Sequence, residues 1–247
     1  MNSIRARLEH VIAWLKLREP DVLLLQELKG TDFPAEVFES LGYRSAAVTQ
    51  KAYNGVATLS RRPIETVSTN LAGDEVDSHA RFLETTIEGL RVVNIYLPNG
   101  NPVGSDKFAY KLAWMDRLKT QMGIWLEEGT PVLIGGDFNV IPEDLDCHKP
   151  TSWMHDALFQ PEPRSRYCML LAMGYTDAFR SLHPGQGGLF TYWDYFRGAF
   201  EHNRGIRIDH FLLSPNLAER LVQCEIDRGP RAQSKPSDHT PILVELR

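Results

Sequence analysis

The segment Pro131-Val-Leu-Ile-Gly-Gly-Asp-Phe-Asn139 joins a short apolar run to two glycines and two polar side chains. Its apolar part, residues 132–135, predicts a buried strand. Asp137 and Asn139 are two positions apart, so on an extended backbone their side chains project to the same side. A carboxylate and an amide that converge in this way indicate a polar site. A strand-end turn, in which Asp and Asn bond their own backbone, accounts for the pattern equally well.

Further strands and helices surround this segment. Helical spacing of apolar residues predicts helices over residues 5–18 and 108–127, and a third that starts at Met169 within residues 169–182. Short apolar or β-branched runs predict strands at residues 21–27, 55–60, 81–87, 90–96, 208–213 and 242–246. Because the long helices fall between groups of strands, we expect two packed sheets covered by helices, in a single domain of residues 1–247.

The composition limits the class of protein. A formal net charge of -5 argues against a protein that coats nucleic acid through bulk positive charge, so any DNA contact must come from a local patch. The three cysteines lack metal-site spacing, which indicates reduced thiols rather than a disulfide framework. No apolar stretch is long enough for a signal peptide or a membrane span, and we therefore expect a cytoplasmic protein without membrane contact.

Acidic residues stand at the ends of other predicted strands. Glu27 closes the first strand, Asp209 lies in a late strand, and Asp238 comes shortly before the last strand. An acid in or beside a core strand is costly unless it is paired, hydrogen-bonded or bound to a metal. Several such acids predict a shared site. Their oxygens suit Mg²⁺, which favours one or two carboxylates together with water and substrate phosphate.

The dipeptide Asp238-His239 places an imidazole beside one of these acids. An imidazole can serve as a general base or as an electrostatic partner of a phosphate. Asp209 could accept a hydrogen bond from His239 and thereby fix its tautomer. The alternative is a structural ion pair between Asp209 and Arg207 or Arg204.

Six separated motifs in this order resemble the exonuclease III branch of the endonuclease/exonuclease/phosphatase superfamily. The resemblance runs from Asn2 to the C-terminus. It implies a DNase I-like four-layer α/β sandwich, with two packed mixed β-sheets flanked by helices, and metal-dependent hydrolysis of DNA at abasic sites and from 3′ ends. The motifs are Asn2-Ser-Ile-Arg-Ala-Arg7, Pro20-Asp-Val-Leu-Leu-Leu-Gln-Glu-Leu-Lys29, Asn94-Ile-Tyr-Leu-Pro-Asn-Gly100, Gly136-Asp-Phe-Asn139, Asn203-Arg-Gly-Ile-Arg-Ile-Asp209 and Lys235-Pro-Ser-Asp-His-Thr-Pro241.

The resemblance also implies roles for the strand-end residues. Glu27 would bind the metal and Asp238 would lie in its shell. Asp137 would activate or position the attacking water, which Asn139 would help to hold. The residues implied at the phosphate or the leaving group are His239, oriented by Asp209, together with Tyr96 and Asn99. Read without the resemblance, an isolated Tyr is more often a core or rim aromatic, and Asn99 could be an ordinary turn residue.

An aromatic segment, Phe190-Thr-Tyr-Trp-Asp-Tyr195, precedes several basic and amide side chains. In the family that it resembles, a loop at this place enters the abasic gap. Stacking on bases and contacts to phosphates could bind DNA here, although such a segment is more often core. The residues expected to contact DNA are Tyr192, Trp193, Asn203, Arg204 and Arg207, with Tyr192 or Trp193 lining the abasic pocket.

The chain starts later than the family pattern. Family members begin with a short strand that ends in Trp-Asn-x-Asn, and Asn2 matches only the last of these residues. We therefore expect the domain to lack its first strand. Asn2 is expected to contact a residue that binds the metal, without binding the metal itself. A misassigned start codon is the preferred hypothesis for this difference.

The sequence leaves other functions open. A phosphatase or sphingomyelinase-like enzyme of the same superfamily would share the metal and acid residues, and a DNA-binding protein without catalysis is conceivable if the first strand is missing. We favour the nuclease, because the aromatic and basic segment suits DNA. Its expected partner is double-stranded DNA, its expected cofactor is Mg²⁺ with Mn²⁺ as an alternative, and its expected state is a monomer.

Overall fold

A computed structural model describes residues 1–247 and contains six α-helices and eleven strands. The helices are α1 (Ile4–Arg18), α2 (Ala35–Glu39), α3 (Asp106–Glu128), α4 (Pro161–Ala172), α5 (Ala178–Leu182) and α6 (Pro215–Ala218). The strands are β1 (Val22–Gln26), β2 (Arg44–Val48), β3 (Val56–Ser60), β4 (Glu65–Ser68), β5 (Phe82–Ile87), β6 (Leu90–Tyr96), β7 (Val132–Asp137), β8 (Thr176–Asp177), β9 (Asp209–Leu213), β10 (Leu221–Ile226) and β11 (Ile242–Leu246).

The larger sheet has six strands in the order β4-β5-β6-β7-β9-β8. β6 and β7 run parallel, and the other neighbours are antiparallel. In this register Tyr96 of β6 and Asp209 of β9 both lie opposite Asp137 of β7. The end of β7 therefore brings three of the predicted site residues together.

The opposing layer consists of two smaller pieces, β1-β3-β2 and β10-β11. β1 pairs only with β3, and β11 pairs only with β10. A cavity of about 840 Å³ is lined by residues 20–26 and 241–246, and it extends to Asp209 and His239. The edges of both pieces thus face a groove that opens at the predicted site.

Helices cover the outer faces of the two layers. One face of α3 buries side chains at three- and four-residue steps against the larger sheet, among them Trp114, Leu118, Met122 and Trp125. Gly129, at φ 72°, ends α3 in the left-handed conformation that glycine adopts without strain. On the other side, α1 packs Ile4, Trp14 and Leu15 against β1 and β3. The resulting order of helices, sheet, sheet and helix is the expected four-layer α/β sandwich.

The predicted elements match the structure except around residue 169. The helix that we expected to start at Met169 begins at Pro161, and the chain then forms β8 and the short α5. Pro161 suits the first helical position because proline presets the helical φ and the position needs no N–H donor. The pattern also missed β2, β4 and β10, whose mostly exposed or half-buried residues give a weaker signal than a buried run.

Two further properties concern the whole chain. None of its helices combines the length and the apolar character needed to cross a bilayer. All three cysteines are free, and Cys147 and Cys224 are buried. This agrees with the expectation of reduced thiols.

Candidate active site

Asp137 and Asn139 stand at the end of β7, where the chain makes a tight turn. Asn139 donates its backbone N–H to Asp137 Oδ1 at 2.9 Å, so the strand-end turn considered from the sequence is present. The side chain of Asn139 donates to the Leu97 carbonyl at 2.9 Å and accepts from Asn99 Nδ2 at 3.2 Å. The turn and the polar site are therefore one arrangement rather than alternatives.

Gly136 explains why the turn can form beside β6. A Cβ at this position would lie 2.0 Å from the carbonyl oxygen of Ile95, and the φ of 140° is a conformation that other residues rarely adopt. Only glycine lets β7 approach β6 this closely and direct Asp137 into the site.

His239, Asp209 and Asp137 form a chain of polar contacts. His239 Nδ1 lies 2.9 Å from Asp209 Oδ2, and His239 Nε2 lies 3.9 Å from Asp137 Oδ2. Because a carboxylate can only accept, Nδ1 carries the proton and Nε2 faces Asp137. The alternative pairing of Asp209 with Arg207 or Arg204 is wrong, since Arg207 bonds Asp146 and Asp177 and Arg204 bonds the Arg197 carbonyl.

The electrostatics of these three residues raise the pKa of both Asp137 and His239. Burial raises the pKa of Asp137, and the nearby Asp209 raises it further against the opposing effect of His239. For His239, burial alone would lower the pKa, but the charge and the hydrogen bond of Asp209 raise it. Asp137 is thus a stronger proton acceptor than an ordinary aspartate, beside an imidazole that Asp209 keeps protonated.

Glu27 and Tyr96 meet on the other side of Asp137. The Tyr96 hydroxyl donates to Glu27 Oε1 at 2.7 Å. Burial would raise the pKa of Glu27, but the amino-terminal ammonium, this hydrogen bond and His239 together lower it. Burial and the carboxylate of Glu27 also raise the pKa of Tyr96, which keeps its hydroxyl protonated. Glu27 is therefore an ionised carboxylate that Tyr96 holds in place.

Asp238 is the second ionised carboxylate at this site. Asn2 Nδ2 donates to Asp238 Oδ2 at 3.3 Å, and Asn2 Oδ1 accepts from Lys29 Nζ at 2.6 Å. Burial would raise the pKa of Asp238, but the positive charges of His239 and the amino terminus lower it. Lys29 Nζ also lies 3.9 Å from Glu27 Oε2, so Asn2 and Lys29 connect the two carboxylates.

The donor set suits a hard divalent cation. Glu27 and Asp238 present ionised oxygens, and the chain contains no cluster of three His, Cys, Asp or Glu side chains that could enclose a metal. A cation held here would complete its shell with water and phosphate oxygens. Mg²⁺ prefers this kind of coordination, with one or two carboxylates and several retained waters.

Three residues predicted to contact DNA are accessible, and two of them, Tyr192 and Asn99, contact residues of the site. Tyr192 is half-buried, with its ring edge-on to His239 at a centroid distance of 5.1 Å. Asn99 is exposed, with its amide bonded to Asn139, and Arg204 is exposed. Their positions leave all three side chains accessible to a ligand.

Arg207 and Trp193 are corrections to the prediction. Arg207 is 0% exposed because its guanidinium is enclosed by Asp146 and Asp177, so it cannot reach DNA. Trp193 is also 0% exposed; it packs in a buried aromatic cluster, and its indole N–H donates to Asn203 Oδ1. The Asn203 Nδ2 group donates to the Gly188 carbonyl, so the Asn203 side chain stabilises this loop.

Two basic residues lie at the site but were not predicted from the sequence. Arg81 stacks on Tyr96, with its guanidinium carbon 4.8 Å from the ring centroid, and donates to the Tyr96 carbonyl. Lys111 is fully buried beneath Asn139. A usable signal existed for Lys111, because a lysine three positions after Phe108 falls on the apolar face of the predicted helix.

Comparisons with known proteins show the family of this chain. Residues 1–239 match the model of the Endonuclease/Exonuclease/phosphatase family. The chain is 36% identical to the exodeoxyribonuclease III of Haemophilus influenzae over 260 aligned positions, which cover 100% of this chain and 97% of that protein.

Solved structures also superpose closely. An AP endonuclease from Archaeoglobus fulgidus superposes with a TM-score of 0.94 at 38% identity, over 99% of this chain and 96% of that one. The 3′ phosphatase NExo from Neisseria, bound to a product DNA hairpin, superposes with a TM-score of 0.96 at 35% identity, over 100% of this chain and 96% of that one.

Proposed function

This chain belongs to the endonuclease/exonuclease/phosphatase family, in the branch of exonuclease III and the AP endonucleases, and we propose on that premise that the cluster around Asp137 hydrolyses phosphodiesters of duplex DNA during repair. Its substrates are abasic sites and 3′ ends. The observation that carries the proposal is the imidazole of His239, hydrogen-bonded to Asp209 and 3.9 Å from Asp137, beside the ionised carboxylates of Glu27 and Asp238.

The carboxylates of Glu27 and Asp238 would hold the metal, with Mg²⁺ as the first choice and Mn²⁺ as the alternative. A divalent cation at this place would neutralise charge on the phosphate and orient it. Asn2 donates a hydrogen bond to Asp238, Lys29 forms an ion pair with Glu27 at 3.9 Å, and Tyr96 donates to the other oxygen of Glu27.

Asp137 directs the attack on phosphorus. With its raised pKa it accepts a proton from a water molecule as the new P–O bond forms and the bond to the leaving oxygen breaks. Asn139 positions that water through its side-chain amide. The Nε2–H of protonated His239 donates to a phosphate oxygen, where negative charge increases in the transition state.

DNA 3′-phosphate removal is a second activity of the same site. The similarity to a 3′ phosphatase bound to a DNA hairpin favours it, and the same groups can attack a terminal phosphate. The polar network of the site favours catalysis over DNA binding alone. Nothing comparable favours an inositol phosphate or a sphingomyelin as substrate.

Other properties complete the proposal. Residues 1–247 form one domain that acts as a monomer, in a reducing cytoplasm that suits the three free cysteines. Duplex DNA meets the site at Tyr192 and Asn99, and the exposed Arg204 offers it a positive charge.

Cleavage of a labelled duplex with one abasic site tests the function and its metal. The purified protein is expected to cut this duplex in Mg²⁺ and to stop when the metal is chelated. Glu27→Gln is expected to raise the half-saturating Mg²⁺ concentration by about 10–100-fold, because a carboxylate ligand is lost. The control, Glu36→Gln, changes an exposed glutamate on α2. Metal-independent cleavage, or an unchanged Mg²⁺ requirement in Glu27→Gln, would contradict the assignment.

A further inference from the structure

Lys111 is a buried cation with every donor used. Its side chain is 0% exposed on the inner face of α3. The ammonium group donates to the backbone carbonyls of Asn99, Asn139 and Ala157, at 3.0, 2.6 and 3.2 Å. A protonated lysine has three N–H donors, and here each has one carbonyl acceptor.

Two of these carbonyls belong to the loops that carry site residues. Asn99 follows β6 and Asn139 follows β7, and their side chains bond each other at 3.2 Å. Asn139 is held at φ 47°, a conformation that requires support from its surroundings. Lys111 supplies support at the carbonyl of that residue.

The third carbonyl extends the network away from β7. Ala157 donates its N–H to Asn101 Oδ1, and Asn101 Nδ2 donates to Asp156 Oδ1. Asn101 Nδ2 also bonds Asn99 Oδ1 at 2.9 Å. Lys111 is therefore the common donor to three segments that meet beneath Asn99 and Asn139.

The space around the Lys111 side chain is tightly filled. A Cβ at Gly100 would lie 2.6 Å from the Cδ of Lys111, and Gly100 has a φ of 89°. Burial lowers the pKa of Lys111 to about 7, while the charges of Asp137 and Asp156 oppose that fall. Burying an ammonium group is costly, and an apolar side chain of similar size would avoid the cost. The charge and its three hydrogen bonds therefore call for a role beyond packing.

We propose that Lys111 is a positioning residue, whose ammonium group holds Asn139 and Asn99 in the arrangement in which they meet the water and the phosphate beside Asp137. This inference rests on the proposed function. Lys111 touches no substrate and acts only through the two loops.

Lys111→Met tests the role, since methionine reproduces the lysine stem as far as Cε but lacks the ammonium group and donates no hydrogen bond. We expect kcat for abasic-duplex cleavage to fall by about 10–100-fold, as for other residues that orient a catalytic group from behind, with KM changed by less than about threefold. The matched control is Lys119→Met, which removes a charge from the same helix outside the site and is expected to keep the wild-type kcat. A folded Lys111→Met variant with the wild-type kcat would overturn the proposal, as would an equal loss through KM.

A second variant covers the case in which Lys111→Met does not fold. Gly100→Ala would place a Cβ 2.6 Å from the Cδ of Lys111, displacing the side chain while keeping its charge, and we expect the same fall in kcat at unchanged KM. Wild-type kcat in Gly100→Ala would then refute the role.

A structural readout separates this inference from the proposed function. If the wild-type protein cleaves no DNA, the proposed function is wrong. The positioning role of Lys111 is then tested by the side-chain amide NMR signals of Asn99 and Asn139. Shifts of both signals in whichever variant folds, Lys111→Met or Gly100→Ala, support the positioning role. Signals identical to those of the wild-type protein overturn it.

Discussion

Asp137→Asn is expected to lower kcat for abasic-duplex cleavage by about 10²–10⁴-fold, the usual contribution of a positioned general base. Asparagine has the same shape but accepts no proton, so the water would attack without losing its proton to the protein. KM is expected to change little, because Asp137 acts on the water and not on the bound DNA.

The same variant is expected to be as stable as the wild-type protein or more so. Asp137 is 4% exposed and lies opposite Asp209, so its carboxylate is both desolvated and repelled. Thermal unfolding checks this, with Asp74→Asn on an exposed loop as the control. Cleavage within tenfold of the wild-type rate would show that Asp137 is not the base. A large fall in the unfolding temperature would show that its role is structural.

His239→Ala is expected to lower kcat by about 10²–10³-fold, as removal of one donor to a transition-state oxygen does in other hydrolases. Asp209→Asn is expected to produce a loss of similar order, because Asp209 orients the imidazole and keeps it protonated. Since the two residues act as a unit, the double variant is expected to be hardly slower than His239→Ala alone. Steady-state kinetics of the four proteins on one substrate measure this coupling. If the loss of kcat in the double variant equals the product of the losses in the two single variants, Asp209 has a function separate from His239.

The positions of the acidic residues in the candidate site were predictable because the signal is local. Asp137 and Asp209 lie in β7 and β9, which are buried neighbours in the larger sheet, and Glu27 directly follows β1 of the opposing layer. The turn residues Gly136 and Asn139 added a second local signal. The sequence left open whether Asp137 belongs to a polar site or to a strand-end turn. In the structure Asp137 forms an Asx turn and also lies in the site.

The error at Arg207 arose from partners that are distant in the sequence. Arg207 precedes Asp209 by two residues and belongs to a motif that reads as DNA-binding. Its partners Asp146 and Asp177 are 61 and 30 residues away. A buried ion pair of this kind leaves no pattern in the local sequence, because the same residue type is found whether its charge faces solvent or another charge.

Tyr192 and Trp193 show a related limit. On an extended segment, consecutive side chains point to opposite sides. One of the two had to face the site and the other the core, and the sequence did not say which. The indole of Trp193 finds its acceptor inside the loop, and Tyr192 faces His239 instead.

The most direct measurement is the anomalous scattering of Mn²⁺ in crystals that contain an abasic duplex. We expect a peak about 2.1 Å from a carboxylate oxygen of Glu27 or Asp238, a distance typical of Mg²⁺-type coordination, with a phosphate of the duplex beside Asp137 and His239. A peak remote from both carboxylates, or a duplex whose phosphates avoid this pocket, would contradict a common site for metal and phosphodiester.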